Sequence, residues 1–157
     1  MSFELKTKRF WRSQLPHWEV EAGFYFFTVR CAGTLPRVVS QQLKETQQAL
    51  AQIRANSADF EILQRRYFQT VEKYSDSHQG FCPFRNNPCA KQLSESLIDL
   101  AQFGWEVPYF VIMPNHVHVL VKPWEDTDLP KILHSWKSYT VREINKPDKI
   151  YKKIVSV

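Results

Sequence analysis

His116-Val117-His118 is the pattern in this 157-residue chain most able to do chemistry. In a β-strand, side chains at i and i+2 share a face. An extended backbone here therefore sends both imidazoles to one side, while Val117, Val119 and Val121 face the opposite layer. Neutral imidazole nitrogen is a good ligand for several first-row metal ions, so the pair is a candidate divalent-cation site. The plainer alternative is two histidines on the polar face of a half-buried strand. Met113-Pro114-Asn115 just before the pair reads as a specific turn, and the strand stays apolar beyond it. Two neutral histidines alone bind a metal modestly, so a third protein ligand is expected. Cys31, Cys82 and Cys89 are odd in number, and Cys82 and Cys89 lack histidine partners at zinc-finger spacing. Neither a disulfide scaffold nor a structural zinc is expected, and a reducing, cytoplasmic setting fits this cysteine usage. Asp99 and Glu106 are isolated carboxylates, His134 reads as solvated, and His17 offers no mechanism.

Charge is the second signal. The net charge is +5, and the segment from Leu129 to the end carries a surplus of the same size through Lys131, Lys137, Arg142 and the lysines that follow. A second basic cluster, Lys6, Lys8, Arg9 and Arg12, is interleaved with Phe10 and Trp11. Two basic ends around a neutral middle suit a polyanion, nucleic acid above all, although solubilising tails have the same composition. A hydrophobic fraction of 43% and an aromatic fraction of 14% exclude a wholly disordered chain. No apolar run is long enough for a bilayer, so no membrane association is expected, and MSFELKTKRFWR has no apolar stretch of a secretory leader behind it.

The elements that must position these residues follow from periodicity. Gly23–Cys31 reads as a buried strand after a Pro-broken lead-in, Leu15-Pro16-His17-Trp18, and Gly33–Pro36 stops it. Ser40 is expected to cap a helix running to about Arg54, with Leu43, Gln47 and Leu50 on successive turns. A second helix is expected over Ala58–Tyr74, carrying Phe60, Leu63, Tyr67, Phe68 and Val71, and then a loop over Ser75–Pro88. Ala90–Phe103 reads as helical, and Tyr109–Met113 and His116–Val121 read as strands meeting at Pro114-Asn115. Leu129–Asn145 closes the order with Leu129, Ile132, Leu133, Trp136, Thr140 and Ile144 in one stripe and Lys131, Ser135, Ser138 and Arg142 opposite. The order predicts an α+β domain over residues 1–146, with helices packed on one face of an antiparallel sheet, and a basic tail over 147–157.

VIMPNHVHVLVKP resembles the His-hydrophobic-His motif of single-tyrosine HUH transposases, and more narrowly of the tyrosine transposases associated with repetitive extragenic palindromes. Leu15-Pro16-His17-Trp18, GFYFFTVR, Thr34-Leu35-Pro36, Ile132–Thr140 and Arg142-Glu143-Ile144-Asn145 resemble further segments of that group in the same order. The resemblance implies a ferredoxin-like domain that cleaves and rejoins single-stranded or hairpin DNA of palindromic repeats as a monomer or homodimer. It implies Mg²⁺ or Mn²⁺ held by His116 and His118, and a tyrosine that forms a 5′-phosphotyrosine link. In relatives that tyrosine sits on a further helix, which also supplies the third ligand, and KPDKIYKKIVSV does not resemble it. Tyr139 is the weak remaining candidate nucleophile and reads better as packing; Tyr151 lies in the basic tail. A cleavage-inactive remnant, or a repurposed hairpin-DNA-binding protein with Lys131, Lys137, Arg142 and the Lys6–Arg12 arm on the DNA, is the alternative expectation. A metal protein unrelated to nucleic acid has only the two histidines in its favour.

Overall fold

Two units divide the chain, residues 1–21 with 35–79 and residues 22–34 with 80–157. The structure, a computed structural model, describes residues 7–12, 16–20, 23–54, 57–77, 80–101, 104–125 and 127–145, with only the backbone described before residue 23.

In the first unit β1 (Thr7–Arg12) and β2 (Pro16–Val20) pair antiparallel, Phe10 opposite Trp18 and Trp11 opposite His17. The lead-in expected to be Pro-broken is therefore a strand. Pro16 is its first residue, where a strand tolerates the missing N–H. Helix α1 (Arg37–Gln52) begins before the expected cap: the Ser40 N–H already donates to the Pro36 carbonyl at 2.9 Å, so Pro36 is the N-cap and Ser40 lies within the first turn. Helix α2 (Ala58–Asp76) is capped by Ser57, whose hydroxyl accepts the Phe60 N–H at 3.2 Å, and Asp59 and Glu61 in its first turn suit the helix dipole. It runs past Tyr74 and shortens the expected loop. Val39, Leu43 and Leu50 pack with Phe60, Tyr67 and Val71, and Gln47 donates to the Tyr67 hydroxyl at 2.7 Å. Phe68, expected in this stripe, is 45% exposed.

The second unit holds β3 (Tyr25–Arg30), a 3-10 turn at Pro83–Arg85, α3 (Asn87–Ala101), β4 (Trp105–Ile112), β5 (His116–Pro123) and α4 (Leu129–Asn145). Its three strands form an antiparallel sheet in the order β3-β5-β4, which puts the histidine strand in the centre. The α+β class expected from the element order stands. Helix α3 starts at Asn87 because Pro88 sits in its first turn, where its missing N–H leaves no bond unmade; Phe103, its expected end, lies outside the described residues. Strand β4 starts earlier than expected, at Trp105, and absorbs Pro108 in the register shift between Glu106 and Tyr109. The expected hairpin at Pro114-Asn115 is present, closed by the Met113 N–H on the His116 carbonyl at 2.9 Å.

Val117, Val119 and Val121 are buried on one side of the sheet, and a small cavity there is shared by Val29 and Val117 with Trp136, Lys137 and Thr140 of α4. Trp105 and Trp136 meet edge to face at 6.1 Å. Buried Ser96 of α3 ties the two helices together: it donates to the Leu93 carbonyl at 2.7 Å, accepts the Trp136 indole N–H at 3.0 Å and hydrogen-bonds with the Thr140 hydroxyl at 2.9 Å. The chain leaves this unit at Thr34 and returns at Gly80. A Cβ on Gly80 would lie 3.0 Å from the Gly33 carbonyl oxygen, and both glycines have positive φ, 77° at Gly33 and 91° at Gly80. Exit and return points are thus side by side. No described helix is long and apolar enough to cross a membrane.

Candidate metal centre

Because β5 is central, both of its neighbours fix the histidines. His118 lies opposite Thr28 of β3 and Val111 of β4, and His116 lies opposite Arg30. With the valines turned toward α4, both imidazoles project from the other face, as the i, i+2 spacing requires. His116 is fully buried and His118 partly so. Their rings meet edge to face with centroids 4.7 Å apart, and the two Nε2 atoms are 3.0 Å apart, placed to share one ion.

The remaining ring nitrogens are held as well. His116 Nδ1 is 2.7 Å from Asn115 Oδ1, and His118 Nδ1 is 3.0 Å from the Thr28 hydroxyl. An amide oxygen only accepts, so with it facing the ring His116 Nδ1 carries the hydrogen and its Nε2 presents a lone pair. The hydrogen between the two Nε2 atoms is then that of His118, and Thr28 donates to His118 Nδ1. To ligate, His118 must shift its hydrogen to Nδ1. The Thr28 hydroxyl suits both tautomers because it can donate or accept. Two neutral nitrogen donors aimed at one point, each oriented by an outer partner, fit a divalent transition-type ion.

The other sequence-predicted residues are dispersed. Lys131 is exposed and stays near the start of α4, 3.5 Å from Asp128, whose carboxylate also accepts the Lys131 N–H at 3.2 Å. Arg142 is exposed, its Nε donating to the Ser138 carbonyl at 3.3 Å. Lys137 is half-buried against Val117 and Trp136, and burial pushes its pKa down. Helix α4 lies on the valine side of the sheet, so the structure does not bring partly buried Tyr139 to the imidazoles. His134 is exposed, as expected. Lys8, Arg9 and Arg12 belong to β1, while Lys6 and Tyr151 lie outside the described residues.

The three cysteines are free and, among the described residues, join no group that could hold a metal. Burial, followed by Cys82 and Cys89, pushes the Cys31 thiol up to about 12, which leaves it protonated and a poor nucleophile. Sequence reasoning missed Asn115 and Thr28. Asn115 reads as an ordinary turn residue, although its place directly before His116 was a usable signal. Thr28 gave none, because its role depends on the β3–β5 register.

Residues 83–156 match the family model described as transposase IS200 like. No curated protein and no solved structure is significantly similar to the chain. The matched segment holds α3, the β4–β5 hairpin with Asn115, His116 and His118, and α4, and it continues past residue 146. Through residues 83–156, a little under half of its length, the chain is similar to the family of IS200-like transposases.

Proposed function

We propose that this transposase-type protein binds single-stranded or hairpin DNA of palindromic repeats in the cytoplasm and presents a scissile phosphate to the His116–His118 pair. The observation that carries this reading is the convergence of the His116 and His118 Nε2 atoms at 3.0 Å on the central strand of a segment that matches a transposase family. Mg²⁺ or Mn²⁺ held there would neutralise charge that builds on the phosphate oxygens. Asn115 and Thr28 keep both rings aimed at that point, while Lys131, Arg142 and Lys137 of α4, on the other side of the sheet, and the basic residues of β1 contact phosphates of the DNA away from the scissile one. The half-burial of Lys137 assigns it the smallest share of these.

A second reading, a hairpin-DNA-binding protein that does not cut, is favoured by one observation: Tyr139 sits on the helix that covers the other side of the sheet. A single experiment separates the two. A labelled hairpin is incubated with the protein and Mn²⁺ and run on a denaturing gel. A covalent adduct that disappears in the His116→Ala/His118→Ala variant supports strand cleavage. Retarded DNA with no adduct supports the binder. DNA that neither binds nor reacts refutes both.

A further inference from the structure

Among the described residues, the face that carries the imidazoles also carries the exposed aromatic side chains Phe24, Phe26 and Tyr109. Register sets its rows. Thr28, His118 and Val111 lie side by side across the three strands, and the next row is Phe26, Leu120 and Tyr109. Two residues along a strand is about 7 Å, so the aromatic row adjoins the histidine row. Exposure is 61% at Phe26, 74% at Tyr109, 56% at Val111 and 59% at Phe24. Phe26 stacks on the His118 ring, centroids 5.4 Å apart and 17° from parallel. Beyond this row the Lys122 ammonium stands 5.7 Å from the Phe24 ring centroid, with exposed Glu106 opposite Lys122 at the rim.

Exposed apolar surface of this kind is uncommon unless something binds it. Flat rings open to solvent, joined to a cation, match the base and the phosphate of a nucleotide together. We propose that Phe26 and Tyr109 form a stacking platform on which bases of a single-stranded nucleic acid lie beside the histidine pair, with Lys122 against the backbone. The occupant is single-stranded because duplex bases are already stacked and cannot offer their faces. The proposal rests on the reading of the histidine centre as a DNA-processing site, and it names the surface that would hold the strand there.

The test is the anisotropy of a fluorescein-labelled thymidine 20-mer, and of an abasic strand of equal length, titrated with the full chain. Stacking on an aromatic side chain contributes about 1–3 kcal/mol per base, so Phe26→Ala/Tyr109→Ala should weaken thymidine-strand binding at least about tenfold. Affinity for the abasic strand and the slope of affinity against salt should stay at wild-type values, because phosphate contacts remain. Phe26→Tyr/Tyr109→Phe should bind as wild type, since both rings persist. Equal affinity of the double alanine variant and wild type for the thymidine strand overturns the proposal, and so does an equal loss on the abasic strand. A wild-type dimer that the alanine pair dissociates and the thymidine strand does not displace overturns it in favour of a second copy on this face. His116→Ala/His118→Ala separates the two readings. Retained preference for the thymidine strand in that variant upholds the platform even where metal-dependent cleavage is never observed.

Discussion

Asn115 has no reactive group, yet replacing it should weaken the metal binding proposed for His116 and His118. Asn115→Ala removes the acceptor 2.7 Å from His116 Nδ1, on a ring with 0% exposure. Taking the acceptor from a buried N–H costs about 1–3 kcal/mol in stability. It also releases the tautomer, so that His116 Nε2 no longer presents its lone pair by default. Losses of such outer partners typically weaken metal binding about 10–100-fold. The Asn115 backbone carbonyl, which accepts the Cys31 N–H at 2.9 Å, survives the substitution, so the turn should keep its path. Titrating Mn²⁺ and reading the free ion by electron paramagnetic resonance gives the affinity; urea unfolding gives the stability. Asn115→Asp keeps an oxygen acceptor and should bind Mn²⁺ at least as well as wild type. An alanine variant with wild-type Mn²⁺ affinity would refute the tautomer argument. An aspartate variant as weak as the alanine one would show that bulk, not the acceptor, matters at this position.

Two further outcomes follow from the packing of α4. Ser96→Ala should cost about 2–4 kcal/mol in urea unfolding, because the buried Trp136 N–H and Thr140 hydroxyl both lose a partner, and adding Trp136→Phe should cost less than it does in the wild type. Strict additivity of the two substitutions would break the assignment. Lys137→Met should stabilise the protein at neutral pH by on the order of half a kcal/mol, since burial lowers the folded-state pKa of Lys137. Below that lowered pKa both folded and unfolded chains are protonated and the full desolvation cost applies. As pH rises from there toward the ordinary 10.5, the folded chain sheds the proton first and the wild type recovers, so the variant's advantage should vanish above 10.5. An advantage that grows with pH would contradict this.

Periodicity alone made α4 legible from Leu129 to Asn145, and alternation alone set the valines of β5 against the imidazoles. Both are local patterns that burial of one face enforces. What stayed hidden was set by partners distant in sequence. Pairing between β3 and β5 joins Thr28 to His118 across 90 residues, and no spacing rule reports a hydroxyl delivered that way. Pro36 hid the start of α1 because proline suggests an end as readily as a beginning. Pro16 hid β2 for the same reason, since a strand accepts proline at its first residue. Phe68 shows the opposite error: aromatic type and near-helical spacing suggested burial, but its position falls off the packed stripe of α2.

The meeting of Gly33 and Gly80 gives residues 35–79 the character of a detour that ends where it began. Strand pairing in the sheet depends on where Thr34 and Gly80 stand, and not on how much chain runs between them. Closing a loop of fixed ends costs free energy that grows only with the logarithm of its length. A few residues could therefore bridge the gap, or an unrelated helical hairpin could take the place of α1 and α2, without a change in the register that brings His116 and His118 together.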